Sequence, residues 1–168
     1  MNISAILCLI RFAGLHQIQS LPNVELLTLD GIKVNASEIS NNDKPMVVVF
    51  WKSNQKECCD QLNMMNDVYE DFFKQKGVKV IAICVDCKGS IQHIKPFVYG
   101  HSIDFEVYID KNGDFKRSMN VSQVPYTILY DDKMDIYCQY VGYCNGSEDI
   151  ICTKIENCLA ASDYSGSK

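Results

Sequence analysis

Met46-Val-Val-Val-Phe-Trp51-Lys-Ser-Asn-Gln55-Lys-Glu-Cys58-Cys59 is the stretch on which the fold turns. Its first part, Met46 to Trp51, is an unbroken run of β-branched, sulfur-containing and aromatic residues. A short apolar run without polar alternation is what a strand covered on both faces requires. Beyond Trp51 the period changes. Cys58, Leu62, Met65, Tyr69 and Phe72 recur at four, three, four and three residues, which lines one face of an α-helix, and Gly77 closes it. Val78 to Val85 is a second buried strand, so the centre of the chain reads strand, helix, strand, the pattern of a parallel βαβ unit.

Outward from this centre, Val24 to Leu29 reads as a strand, Asp30-Gly31 as a turn, and Ser37 to Ile39 as a short helical turn before Lys44-Pro45. A helix is expected from near Ser90, bending at Pro96. Phe105 to Ile109 reads as a strand, Asp110 to Asp114 as a turn, and Phe115 to Met119 as a short helical stretch. Tyr126 to Tyr130 and Met134 to Val141 pair through Asp131-Asp132-Lys133 as an antiparallel hairpin. Ser147 is placed to cap a last helix whose inner face carries Ile151, Ile155 and Leu159. Tyr126, Tyr130, Tyr137, Tyr140 and Tyr143 are assigned to sheet surface and rim.

The expected fold is therefore α/β, with a central mixed sheet, parallel at its βαβ unit and antiparallel at its C-terminal hairpin, flanked by helices. No repeat or low-complexity linker divides the 168 residues, a length that suits one core. Residues 1–20 read as a leader, 21–160 as the domain and 161–168 as a polar tail. The net charge of -5, with no cluster of its Lys and Arg residues, argues against nucleic acid as a partner. Ile3 to Ile10 is too short to span a bilayer and of the length of a signal h-region, although no basic residue precedes it and Arg11 interrupts its end. A periplasmic or secreted location follows from that reading, with a cytoplasmic one as the alternative, and no transmembrane segment is expected in the mature chain. Loss of the leader would remove Cys8 and leave eight of the nine cysteines.

Phe50-Trp51-Lys52-Ser53 leading to Cys58, together with Asn120-Val-Ser-Gln-Val124-Pro125-Tyr-Thr-Ile-Leu-Tyr130 and the capped terminal helix, resembles the TlpA and ResA-like branch of the thioredoxin superfamily. The resemblance runs from about Leu21 to Leu159. It implies a thioredoxin-like fold in which Pro125 is cis and lies against the start of the helix after Trp51. It also implies Cys-x-x-Cys at that helix start. The first cysteine attacks a disulfide as a thiolate favoured by the helix dipole, and the second resolves the mixed disulfide. Laid on this chain, the first position is Gln55 and the second Cys58. The tryptophan that usually precedes the motif is Asn54, and the usual proline spacer is Glu57. The glutamate often found three residues after the second cysteine is Gln61, an amide that cannot accept a proton.

Cys58 and Cys59 remain as candidate catalytic residues, within a groove marked by Trp51, Gln55, Gln61, Val124 and Pro125. Cys59, turned from the inner face in the helix's first turn, is expected to be a partly exposed thiol of lowered pKa, or else a spectator. A bond between these adjacent cysteines would strain the peptide. Cys84-Val-Asp-Cys87 has redox spacing, and the ends of neighbouring parallel strands adjoin, so a relocated pair drawn from Cys58 or Cys59 and Cys84 or Cys87 is open, beside Cys84 as a core residue. Adjacent cysteines are not a usual zinc-knuckle spacing, and His16, His93 and His101 show no ligand spacing, so no metal or cofactor is assigned. Cys138, Cys144, Cys152 and Cys158 could form one or two structural disulfides or stay reduced.

Two functions remain. One is a redox protein acting on protein thiols or disulfides through a single or relocated cysteine, with the two-cysteine mechanism impaired. The other is a non-catalytic module that holds an extended peptide. A peroxidase is a weaker third, since no Thr-x-x-Cys surrounds Cys58.

Overall fold

The structure, a computed structural model, describes residues 20–85, 91–144 and 146–165. Most of the stretch read as a leader, with Cys8, and also Cys87 lie outside the described residues.

Seven strands form one sheet in the order β2-β1-β5-β4-β3-β6-β7. They are β1 (Glu25–Thr28), β2 (Lys33–Asn35), β3 (Met46–Trp51), β4 (Lys79–Cys84), β5 (Glu106–Ile109), β6 (Tyr126–Tyr130) and β7 (Ile136–Val141). β3 is parallel to β4 and antiparallel to β6, which places the Met46–Trp51 run mid-sheet between a parallel unit and the C-terminal hairpin. All six of its residues are buried. Val47, Val49 and Trp51 join one core cluster, while Met46, Val48 and Phe50 join the other. That two-sided burial is why the sequence shows no polar alternation here, and it removes ~1.5–3 kcal/mol of apolar surface cost per large side chain.

The helices divide between the two faces. α1 (Lys56–Asp67), α2 (Ile91–Gly100) and α4 (Ser147–Ser165) contribute Leu62, Met65, Ile94, Val98, Ile151 and Ile155 to the Trp51 side. α3 (Asp114–Ser118) and the segment around Leu21 and Ala36 cover the Phe50 side, where Phe50 and Phe115 stack at 5.5 Å. Among the described residues, no helix is long and apolar enough to cross a membrane.

Several local expectations change. The helix after Trp51 is not continuous: α1 stops at Asp67 and is followed by a π-helical turn over Tyr69–Lys74. The wider turn carries one extra residue, so the inward aromatic is Phe73, 1% exposed, and Phe72 is only half-buried. Gly77, with φ of +69°, ends the whole helical segment. Ser147 is the first residue of α4 and its buried hydroxyl has no hydrogen-bond partner among the described residues, so it caps none of their N–H groups. α4 also continues to Ser165, into the stretch read as a tail. Tyr130 and Tyr140 are core residues, because both lie on inward-facing positions of the hairpin.

Candidate active site

Antiparallel pairing of Phe50 with Tyr126 sets the residues before β6 beside the end of β3. The Val124–Pro125 loop thereby meets the start of α1. The peptide bond between these two residues is cis.

Gln55 is the residue before α1, with an extended backbone (φ -121°, ψ 118°). Its carbonyl accepts from the backbone N–H groups of Cys58 and Cys59 at 3.1 and 3.2 Å, which begins the helix. Its side chain caps none of the free N–H groups. Instead Nε2 donates to the Val124 carbonyl at 3.1 Å, so the side chain reaches across to the proline loop.

Cys58 points into the sheet. It is 0% exposed, packed in the cluster that holds Trp51, Leu62 and Cys84. Burial is the main cause that pushes its thiol up to about 11, and a backbone hydrogen bond from Lys52 offsets part of the rise. A thiol so placed stays protonated at neutral pH and presents no sulfur to solvent. Cys59, one residue on, is half-buried, and its Sγ lies 3.5 Å from the Ser53 carbonyl.

Alkaline pH offers a test of the Cys58 environment. The unfolded thiol loses its proton near 9.0 and the folded one near 11, so deprotonation favours the unfolded chain. The contribution of Cys58 to stability is expected to be intact below pH 9.0 and to fall away as pH rises toward 11. Other buried thiols shift in the same direction, among them Cys138 and Cys158, and the difference between the wild type and Cys58→Ala isolates Cys58. Denaturant melts of both proteins across this range should converge with rising pH.

Gln61, 2% exposed, donates from Nε2 to Thr127 Oγ1 at 2.6 Å, while its Oε1 has no partner. Thr127 pairs with Val49, and that register carries Thr127 to the Trp51 side of the sheet. Trp51 packs on Phe97 at 5.2 Å between ring centroids, and its buried Nε1 also lacks a partner. Cys84 is the parallel-register neighbour of Trp51 and is fully buried, a small core residue at the same sheet end.

The structure thus gathers Trp51, Gln55, Cys58, Cys59, Gln61, Val124 and Pro125 at one end of β3 and β6. The four C-terminal cysteines belong elsewhere. Cys58, Cys59, Cys84, Cys138, Cys144, Cys152 and Cys158 stand as thiols in this structure. Cys138 lies on the inner face of β7, where its Sγ lies 3.3 Å from Tyr140 Oη, and Cys158 lies on the inner face of α4. Cys144 and Cys152 are half-buried, in the loop before α4 and within it. No group of three or more His, Cys, Asp and Glu among the described residues is arranged to hold a metal ion.

Thr127 and Ser53 escaped the sequence reading. Thr127 had a signal, as the lone polar residue in the inward-facing run of β6. Ser53 had none, because it takes part through its backbone carbonyl.

The profile of the AhpC/TSA family matches residues 18–140, an interval that contains β3, the start of α1, Pro125 and most of the hairpin. The chain belongs to the AhpC/TSA family. Within it, this AhpC/TSA protein is similar to the thiol-disulfide oxidoreductase ResA of Bacillus thuringiensis, with 30% identity over 110 residues, 66% of this chain and 61% of that protein. It thus spans about three fifths of the length of the curated relative it matches. It also superimposes on an uncharacterised thioredoxin-like protein of Porphyromonas gingivalis with a TM-score of 0.73 and 34% identity, covering 83% of this chain and 92% of that one. StoA of Bacillus subtilis has the same fold at a TM-score of 0.64 and 17% identity, over 79% and 98% of the two chains. The mixed sheet with its flanking helices is accordingly a thioredoxin-like fold.

Proposed function

We propose that this AhpC/TSA protein exchanges disulfides of other proteins through Cys59, acting as a single thiol. The observation that carries the reading is the contrast at the start of α1. Cys58 is buried with its thiol pushed up to about 11, and Cys59 is half-buried in the same first helical turn. A nucleophilic thiol needs access, and of the two adjacent cysteines only Cys59 has it. The similarity to ResA supports thiol-disulfide chemistry as the class of reaction.

In the forward step the Cys59 thiolate attacks one sulfur of a partner disulfide. A Cys59–partner disulfide forms, the partner's S–S bond breaks, and its other sulfur leaves as a thiolate. With Gln55 in place of the family's attacking cysteine and Cys58 turned into the core, no thiol of the motif is positioned to resolve this intermediate. A second thiolate of the partner does so, forming a new partner disulfide and restoring the Cys59 thiolate. The cycle conserves electrons, so it rearranges disulfides and needs no external oxidant.

The reading extends to an exported setting, supported by the apolar run Ile3 to Ile10, which fits a secretory leader. Scrambled ribonuclease tests the chemistry. Recovery of ribonuclease activity at substoichiometric protein, without net change in total thiol, is the expected result. No recovery, or recovery only when a dithiol reductant supplies electrons in step, would overturn it.

A further inference from the structure

Four thiols of the C-terminal part take no share in the chemistry at α1, and the fold places them unequally. Cys138 stands on the inner face of β7 and Cys158 on the inner face of α4, within the core cluster on the Trp51 side of the sheet. Cys158 continues the stripe of Ile151 and Ile155, at spacings of four and three residues. Burial is the main cause that pushes its thiol up to about 12, followed by the charges of Asp131 and Asp132, in the turn that leads into β7, and by Cys138 itself. From the other side, burial raises the Cys138 thiol, and Tyr140 and Lys154 of α4 offset part of the rise. The helix therefore crosses β7 with Cys158 over the half of the strand that holds Cys138. The other pairings of the four fail on length or direction. An α-helix rises ~1.5 Å per residue, and a disulfide spans no more than about 7 Å between Cα atoms. Cys152 and Cys158 are thereby ~9 Å apart along the axis of α4. The Cys144 carbonyl accepts the Ser147 N–H at 3.1 Å, so Cys144 lies beyond the N-terminal end of the helix, further from Cys152 than the ~7.5 Å that Ser147 already is. It is further still from Cys158, and Val141, before it, is ~10 Å along the strand from Cys138. Cys152 is turned off the inner stripe: after burial, the groups that act on its thiol are Asp149, Glu156, Glu148 and Lys76, the last paired with Glu156 at 3.5 Å.

We infer that Cys138 and Cys158 form a cross-link site: oxidation joins them into a disulfide that fastens α4 to β7. The step belongs to folding, before the two thiols are covered, and its oxidant is a small-molecule disulfide. One cysteine attacks the oxidant as a thiolate, which forms a mixed disulfide and releases half of the oxidant as a thiolate. The other cysteine then displaces the second half, so one protein disulfide forms and the oxidant's S–S bond is reduced to two thiols. Cys59 takes no part. In the reduced chain the Cys138 thiol donates to Tyr140 Oη at 3.3 Å, a bond that oxidation gives up. In return the new bond closes most of β7, the loop and α4 into one ring and restricts the unfolded chain.

The test refolds the reduced full-length chain from denaturant in a buffer of glutathione and glutathione disulfide, blocks the remaining thiols with N-ethylmaleimide, and maps the products by peptide mass spectrometry. A Cys138–Cys158 disulfide as the main cross-link among the four C-terminal cysteines is the expected result. The cross-linked protein is expected to melt about 6–12 °C above the same protein kept reduced. This comparison sets one unmutated chain in two redox states side by side, so it does not depend on a variant folding. In Cys158→Ala the two conditions are expected to give the same melting temperature. Recovery of both Cys138 and Cys158 as blocked thiols in the refolded protein would overturn the cross-link. So would a dominant bond from either of them to Cys144 or Cys152, or a cross-linked form that melts no higher than the reduced one. A melting difference that persists in Cys158→Ala would overturn it too, since another bond would then be responsible.

Discussion

Cys59→Ser is expected to abolish disulfide exchange, bringing ribonuclease recovery down to the uncatalysed background, while Cys58→Ser keeps most of it. The asymmetry reverses what the resemblance to the TlpA and ResA-like branch implies, which lays its second motif cysteine on Cys58. Its physical basis is the direction of each side chain on α1. Position 58 falls on the stripe with Leu62 and Met65, and that stripe is the one packed against the sheet. Position 59 is rotated off it and remains half-buried. Initial rates of the two single variants, after circular dichroism has established that both are folded, decide the matter. Equal loss in both would mean that the pair acts as a unit. Loss in Cys58→Ser alone would mean that the helix start opens to expose the inner thiol.

Trp51→Ala is expected to lower stability by about 3–5 kcal/mol, the cost of deleting a fully buried large aromatic, read from the urea midpoint at unchanged slope. Trp51 ends the central strand, is 0% exposed, and packs on both Phe97 of α2 and the inner face of α1. Its removal would leave a cavity beneath Cys58 and loosen the layer that holds α1 in place. Trp51→Phe behaves differently. Among the described residues the indole Nε1 has no hydrogen-bond partner, so its loss forfeits no bond to them and relieves a buried polar group. A cost below ~1.5 kcal/mol is expected for this swap. A phenylalanine variant as unstable as the alanine one would show that the indole nitrogen is engaged in the folded protein.

How far these features were legible depended on whether their cause was local. Met46–Trp51 announced a two-sided strand because burial on both faces leaves a direct mark on composition. Strand β2 left no such mark, being Lys33-Val34-Asn35 with one half-buried apolar residue, and it exists by pairing with β1. The exchange of Phe72 for Phe73 in the core comes from a single extra residue in the turn after Asp67, which a constant helical period cannot register. At the site, Gln55, Cys58 and Gln61 were found by motif, but their roles were set by distant partners. Val124 holds Gln55 and Thr127 holds Gln61, across 69 and 66 residues. The cysteines show the same limit. Nine in one chain left cross-links and reduced thiols both open, and the sequence does not tell that Cys138 and Cys158 lie among apolar neighbours, where small polarisable side chains pack readily.

The central claim is that the accessible thiol at the start of α1 is Cys59. Its most direct test is to challenge the native, reduced protein with one equivalent of glutathione disulfide, quench with acid, and map the modified cysteine by peptide mass spectrometry. Glutathione on Cys59 ahead of every other cysteine, with Cys58 unmodified, is the expected result. Glutathione first on Cys58, or on a thiol outside α1 such as Cys144 or Cys152, would contradict it.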